Sequence, residues 1–152
     1  MLVKYHILVG VIFCGILFFL FPKINLIGLF LIFLSSIFID VDHYTYYVYK
    51  KKDFSLKRAV NFFYSKMQKF LNLNKELQKN FYGGVFILHS IEFLILIFLL
   101  GLFFTNYFYF ILLGLTLHLL FDIIFEYSFS GKIYKSSLFY CLSEIKGKEL
   151  IE

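Results

Sequence analysis

Four stretches of this chain are both too apolar and too long for the surface of a water-soluble fold: residues 5–21, 24–40, 85–104 and 109–127. A bilayer core about 30 Å thick is crossed by roughly 20 helical residues. A backbone in lipid has to satisfy its own hydrogen bonds, and a helix does so within one segment. With 61% hydrophobic and 16% charged residues, the composition lies far from that of an ordinary soluble domain. The expected architecture is therefore all-α: a polytopic membrane protein of four transmembrane helices, forming one domain over residues 1–152. The first two runs are short for a full crossing, so polar, partly wet ends are expected there. Lys4 precedes the first run, but no small-residue cleavage pattern follows Pro22, and that run is expected to be retained as a span.

The net charge of +5 is concentrated rather than spread. Nine of the 15 Lys and Arg residues fall between Tyr49 and Asn80, in the loop between the second and third runs. A basic loop beside membrane spans is a topology signal and an attraction for anionic lipid. Nucleic acid is not the expected partner; membrane lipids are. With four spans, 14 of the 15 basic residues lie on one side and only Lys23 on the other. That split predicts cytoplasmic termini and a cytoplasmic central loop in a plasma-membrane protein. Tyr44, Tyr46, Tyr47 and Tyr49 read as an interfacial belt. Within the loop, Leu56, Ala59, Val60, Phe63, Met67 and Phe70 recur at helical spacing, with Lys57, Arg58, Lys66 and Lys69 off the stripe. Ser55 is the expected N-cap of a basic amphipathic helix over about 55–79. Such a helix either lies on the membrane surface or packs against the protein's own loops. Cys14 and Cys141 have no paired spacing and read as free thiols.

The ionisable residues inside the apolar runs are confined to one end of the expected bundle. His6 opens the first span; Asp40, Asp42 and His43 close the second; His89 and Glu92 open the third; His118, Asp122 and Glu126 descend the fourth. His89 and Glu92, three apart, share a helix face, as do His118 and Asp122, four apart. Asp40 and Asp42 share a face only if the helix ends or turns between them. Charges in a membrane are costly and are paired or functional. Imidazole nitrogens and carboxylate oxygens in this mixture suit a divalent metal, which would also balance the buried carboxylates. His6, Asp40, His89, His118 and Asp122 are the candidate ligands. Zinc is the first expectation, with manganese or iron also compatible.

KYHILVG, IDVDHY, LHSIEF and GLTLHLLFD together resemble the YdjM-like inner-membrane proteins, described as membrane-bound metal-dependent hydrolases. That family has an N-terminal Thr-His, a Pro-Asp-x-Asp-His, a His-Arg-Gly-x-Thr-His-Ser and a late His followed by Asp. The matching positions here are His6, Asp40, Asp42, His43, His89, Ser90, His118 and Asp122. Ile39 stands in place of the Pro, Gly84 and Val85 in place of the earlier His and Arg, and Leu88 in place of the Thr. The resemblance implies a metal-dependent hydrolase acting at the cytoplasmic membrane face, on a phosphoester or lipid-type substrate. Asp42 or Glu92 is then the candidate general base, and His43 a second ligand or general acid. The competing reading is a non-catalytic membrane bundle whose polar cluster is held by hydrogen bonds or a structural metal. Haem held by two of His6, His89 and His118 suits the surrounding carboxylates less well. An ion pathway lacks relay groups in the outer halves of the spans.

Overall fold

A computed structural model describes residues 3–78, 80–82, 84–130, 137–144 and 148–150. The regular structure of the described chain is helical apart from one two-residue parallel pairing. In order it forms α1 (Val3–Leu20), α2 (Leu26–Phe38), α3 (Val41–Lys51), α4 (Leu56–Asn72), α5 (Lys75–Gln78), β1 (Phe81–Tyr82), α6 (Ile91–Phe103), α7 (Tyr107–Ser130), α8 (Leu138–Glu144) and β2 (Glu149–Leu150). Phe81 pairs with Glu149, and Tyr82 with Leu150.

Among the described residues, three helical stretches are long and apolar enough to cross a membrane: Val3–Leu20, Leu26–Lys51 and Tyr107–Ser128. The second is longer than the expected 24–40, because α3 continues it through the tyrosine-rich segment. The stretch expected as a third span, 85–104, is helical only over the 13 residues of α6. At 1.5 Å per residue that is about 20 Å, short of a hydrocarbon core. The reason is local. Ser90 caps α6, its Oγ accepting from Phe93 N–H at 3.3 Å, and the backbone before it bonds elsewhere.

α2 is the central element, packed chiefly against α7 and α1, while α6 packs on α7. Close approach depends on small residues. A Cβ on Gly114 of α7 would overlap the carbonyl of Ile32 and the hydroxyl of Ser35 on α2. A Cβ on Gly10 of α1 would come within 2.7 Å of Ser36 Oγ. Ile39, Ile97 and Leu115 form a buried cluster, ringed by Leu88, Phe93, Leu94, Leu100, Phe108, Ile111 and Leu112. Large apolar side chains such as Phe19, Leu20, Phe30 and Phe103 remain exposed, as lipid-facing side chains do.

The corner between α3 and α4 is built from polar contacts. Lys52 ends α3 in the left-handed region, with φ 52°. Asp53 then accepts from Arg58 Nε at 2.6 Å and Nη2 at 2.7 Å, from the Tyr47 hydroxyl, and from Ser55 N–H at 3.1 Å. The Arg58 guanidinium, seconded by Tyr47, holds the Asp53 carboxyl well below the usual range. Ser55 caps α4 as expected. The amphipathic segment is two helices rather than one over 55–79. Asn74 caps the second, α5, and Gln78 donates back to the carbonyls of Phe70 and Leu73. The inward face of α4 also differs from the expected stripe. Ala59 and Lys66 are its buried residues, whereas Leu56 and Val60 are exposed. The face meets α3 through Phe62 against Tyr47 and Phe63 against Tyr46. Lys66 lies off the expected stripe, yet it is buried because its ammonium sits over the rings of Tyr46 and Phe62.

Candidate metal centre

The second apolar helix stops at Phe38 and restarts at Val41 without a proline or glycine. Asp40 N–H bonds back to Ile37 O at 3.3 Å, and Asp40 O accepts from His43 and Tyr44 as α3 begins. This break does two things. It lets both Asp40 and Asp42 reach inward, which a continuous helix forbids. It also leaves Ser36 O among the last carbonyls of α2, which lack intrahelical donors. His118 Nδ1–H donates to that carbonyl at 2.7 Å.

A carbonyl can only accept, so this bond fixes the His118 tautomer and turns Nε2 into the bundle. The same logic applies to His89, whose Nδ1–H donates to Asp42 Oδ2 at 3.1 Å. Asp42 Oδ2 also accepts the Leu88 N–H at 3.2 Å. That contact draws residues 88–90 out of the helix expected there and places His89 inward. Metal-binding histidines characteristically have the remote ring nitrogen held by a carboxylate or carbonyl in this way.

The Nε2 atoms meet two carboxylates. Asp40 Oδ1 lies 3.6 Å from His89 Nε2 and 3.8 Å from His118 Nε2. Asp122 Oδ2 lies 3.6 Å from each of the same two nitrogens, and its Oδ1 is 3.2 Å from His6 Nε2. The His6 ring stacks on His118, with centroids 3.6 Å apart and planes 9° from parallel. Donor atoms around a tetrahedral zinc with bonds near 2.0–2.1 Å stand about 3.3–3.4 Å apart. The carboxylate–imidazole edges here, 3.2–3.8 Å, lie within about half an ångström of that spacing.

Burial makes the fit more telling. His6, His89, His118 and Asp122 are each at most 4% exposed. His118 Nε2 and Asp40 Oδ2 are buried and make no hydrogen bond, and His6 Nε2 meets only the Asp122 carboxylate at 3.2 Å. An orphaned buried polar atom costs about 1–3 kcal/mol, and a buried carboxylate more. A divalent cation among these atoms removes that cost. The donor set, three imidazoles and two carboxylates, suits zinc, manganese or iron in its chemistry.

All five candidate ligands, His6, Asp40, His89, His118 and Asp122, are thus brought together. The candidate catalytic residues are placed differently. Asp42 sits behind the candidate ligands, its Oδ1 accepting from His43 Nδ1 at 2.8 Å while Oδ2 serves His89 and Leu88. It holds two rings in place, and both of its oxygens are engaged in doing so. His43 lies beside the cluster, its ring stacked on Phe86 at 3.9 Å and tilted against Phe63. Glu92 does not join. Its carboxylate caps α8, accepting from Ser137 Oγ at 2.5 Å, Leu138 N–H at 2.9 Å and Phe139 N–H at 3.4 Å. Ser90, another motif position, caps α6.

Three contributors escape a reading of the sequence. Ser36 acts through its backbone carbonyl, which no residue type announces. Phe63 and Phe86 wall the His43 side from distant segments, and aromatic residues are too common here to stand out. Comparison with family models, curated proteins and solved structures gives no match to this chain, so the reading of the centre rests on its own geometry.

Proposed function

We propose that this chain is a membrane-bound, metal-dependent hydrolase of the YdjM-like kind, acting on a phosphoester or lipid-type substrate at the cytoplasmic membrane face. The observation that carries this reading is the convergence of three Nε2 atoms and two carboxylates from four separate segments, with two of the rings locked from behind. Bound there, a divalent cation polarises an ester or phosphoryl oxygen and acidifies water. The chain's own part is to hold the donors deprotonated toward the centre, to keep bulk water away, and to exclude competing geometries. Asp40, at 14% side-chain exposure, and His43, at 18%, mark the side that a substrate reaches.

The topology belongs to the same proposal. α6 and the non-helical residues 85–90 together make the fourth crossing. Irregular backbone at membrane depth is tolerated where protein buries it, and Asp42 satisfies the Leu88 N–H. With four crossings, the 14-to-1 distribution of Lys and Arg supports a cytoplasmic centre and a cytoplasmic α4. The basic residues of α4 then draw anionic headgroups to the surface beside the centre. A cysteine placed at Lys51 should be shielded from an impermeant thiol reagent in intact cells; labelling there reverses the orientation.

A second reading has one observation in its favour. Glu92 is committed to capping α8, and Gly84 and Val85 stand where the family motif has His and Arg. A bundle with a structural metal and no turnover accounts for both. Elemental analysis of detergent-purified protein beside its His118→Ala variant, followed by phosphoester and carboxylic-ester turnover assays, decides between them. Metal with turnover, both lost in the variant, supports the hydrolase. Metal without turnover leaves the structural bundle, and absence of bound metal in the wild-type protein overturns both metal readings.

A further inference from the structure

We propose that the centre holds two divalent ions rather than one, with His43 a ligand of the second. This rests on the metal-centre reading above and narrows it to a phosphoester substrate.

The donors fall into two adjoining groups. His6, His118 and Asp122 each offer an atom within 4.8 Å of the other two, and so do Asp40, His43 and His89. The groups touch through their carboxylates. Asp122 Oδ2 is 3.6 Å from His89 Nε2 in the other group, and Asp40 Oδ1 is 3.8 Å from His118 Nε2. Each carboxylate therefore reaches a histidine across the divide, the position from which a carboxylate bridges two ions. Six donors also exceed what one four-coordinate zinc accepts.

Asp42 supplies the second argument. Its Oδ1 accepts from His43 Nδ1 at 2.8 Å and its Oδ2 from His89 Nδ1 at 3.1 Å. One carboxylate thus orders both rings in the same way, directing coordination to Nε2 of each. Phe86 stacks flat on His43, 13° from parallel, and fixes the ring plane. A histidine that was simply solvated at an interface would need neither constraint.

The charge count points the same way. Asp40, Asp42 and Asp122 bring three negative charges to one largely buried place. One divalent ion leaves the centre net negative, which opposes an anionic substrate. Two leave it net positive by one, and a phosphoester monoanion neutralises it. Paired ions about 3.5–4 Å apart are the arrangement that clamps the attacking and leaving oxygens of an in-line displacement at phosphorus.

The test uses the full chain in detergent, stripped with a chelator, reloaded with Mn²⁺ and freed of excess. Bound manganese per chain is measured by elemental analysis, and electron paramagnetic resonance reports whether the ions are coupled. The expected result is two ions per chain with an exchange-coupled spectrum. His43→Ala should fall to one ion with the spectrum of an isolated Mn²⁺, its helical circular dichroism unchanged. His6→Ala, which removes a donor from the other group, should also fall to one. His43→Gln covers the case in which loss of the ring disturbs Asp42, because its amide still donates, and one ion there supports the proposal. One uncoupled ion in the wild-type protein overturns the pair while leaving the metal centre intact. Two ions in both His43 variants overturn the role of His43. No bound manganese in the wild-type protein overturns the metal-centre reading itself.

Discussion

Replacing Asp122 by Asn keeps the side chain's volume and removes one negative charge from a position within 3.2–3.6 Å of three imidazoles. The sign of the effect on stability depends on what those imidazoles share. In a metal centre the Asn loses a charged ligand and weakens binding. Even outer-shell substitutions at metal sites cost about 10–100-fold in affinity, so a loss of at least about 100-fold is expected for a ligand. At metal concentrations that saturate the wild-type protein, a 100-fold weakening removes about 2.7 kcal/mol of binding-linked stability. For a chain of this size that corresponds to roughly 5–10 °C in Tm. Without a metal, the same carboxylate is a buried charge that accepts from His6 at 3.2 Å; an asparagine oxygen keeps that bond without the cost of burying a charge, so the variant should melt at or above the wild-type protein. The assay is a thermal melt in detergent, with metal and with chelator, on both proteins. The wild-type protein should lose Tm on chelation, and Asp122→Asn should start low and respond little. A variant that melts above the wild-type protein in saturating metal, with no chelator response in either, refutes the reasoning.

Asp42→Asn removes no proposed ligand but loosens the rings of His43 and His89. It should weaken metal binding by about 10–100-fold in a competition titration, while Asp42→Ala, which also abandons the Leu88 N–H, should do worse. Gly114→Ala forces α7 off α2 at Ile32 and Ser35. It should destabilise by about 1–3 kcal/mol in a denaturant titration and lower metal affinity through the displaced His118–Ser36 bond, although no ligand changes. The α3–α4 corner should be insensitive to pH down to about 5. Asp53 has a folded pKa below its unfolded value near 3.9, so its contribution is complete above that value and is lost only as pH falls through the lower, folded one. Proteolysis at the corner should therefore be unchanged from pH 7 to about 5 and should rise in Arg58→Ala at all of these pH values.

The apolar runs and the end at which their ionisable residues gather were legible because bilayer thickness and the cost of intramembrane charge act on sequence directly. The gathering of the five candidate ligands at one place followed from helix periodicity and end-to-end alternation. The need for a turn between Asp40 and Asp42 was also legible, since two residues two apart cannot share a helix face. What that turn becomes was not: nothing in the tyrosine belt announces that α3 continues the same helix to Lys51. The shortness of α6 comes from Asp42 taking the Leu88 N–H, a contact across 46 residues that no local pattern encodes. Glu92 shows a limit of spacing arguments. It shares a face with His89 only in a helix that includes both, and α6 begins two residues after His89. Lys66 shows another, because a charged head can be covered when aromatic faces stand ready for it.

The bond from His118 to the carbonyl of Ser36 has an inheritance of its own. The acceptor is main chain, so a point substitution at position 36 leaves it in place unless it moves the helix. The orientation of that imidazole is in effect encoded in the end of α2 and its seating against α7. Descendants of this chain can exchange residue 36 for another that fits beside Gly10 and still present the same nitrogen to the same place. Drift that slides one helix past the other by a turn erases it at a stroke, with every histidine and aspartate of the cluster still written in the gene.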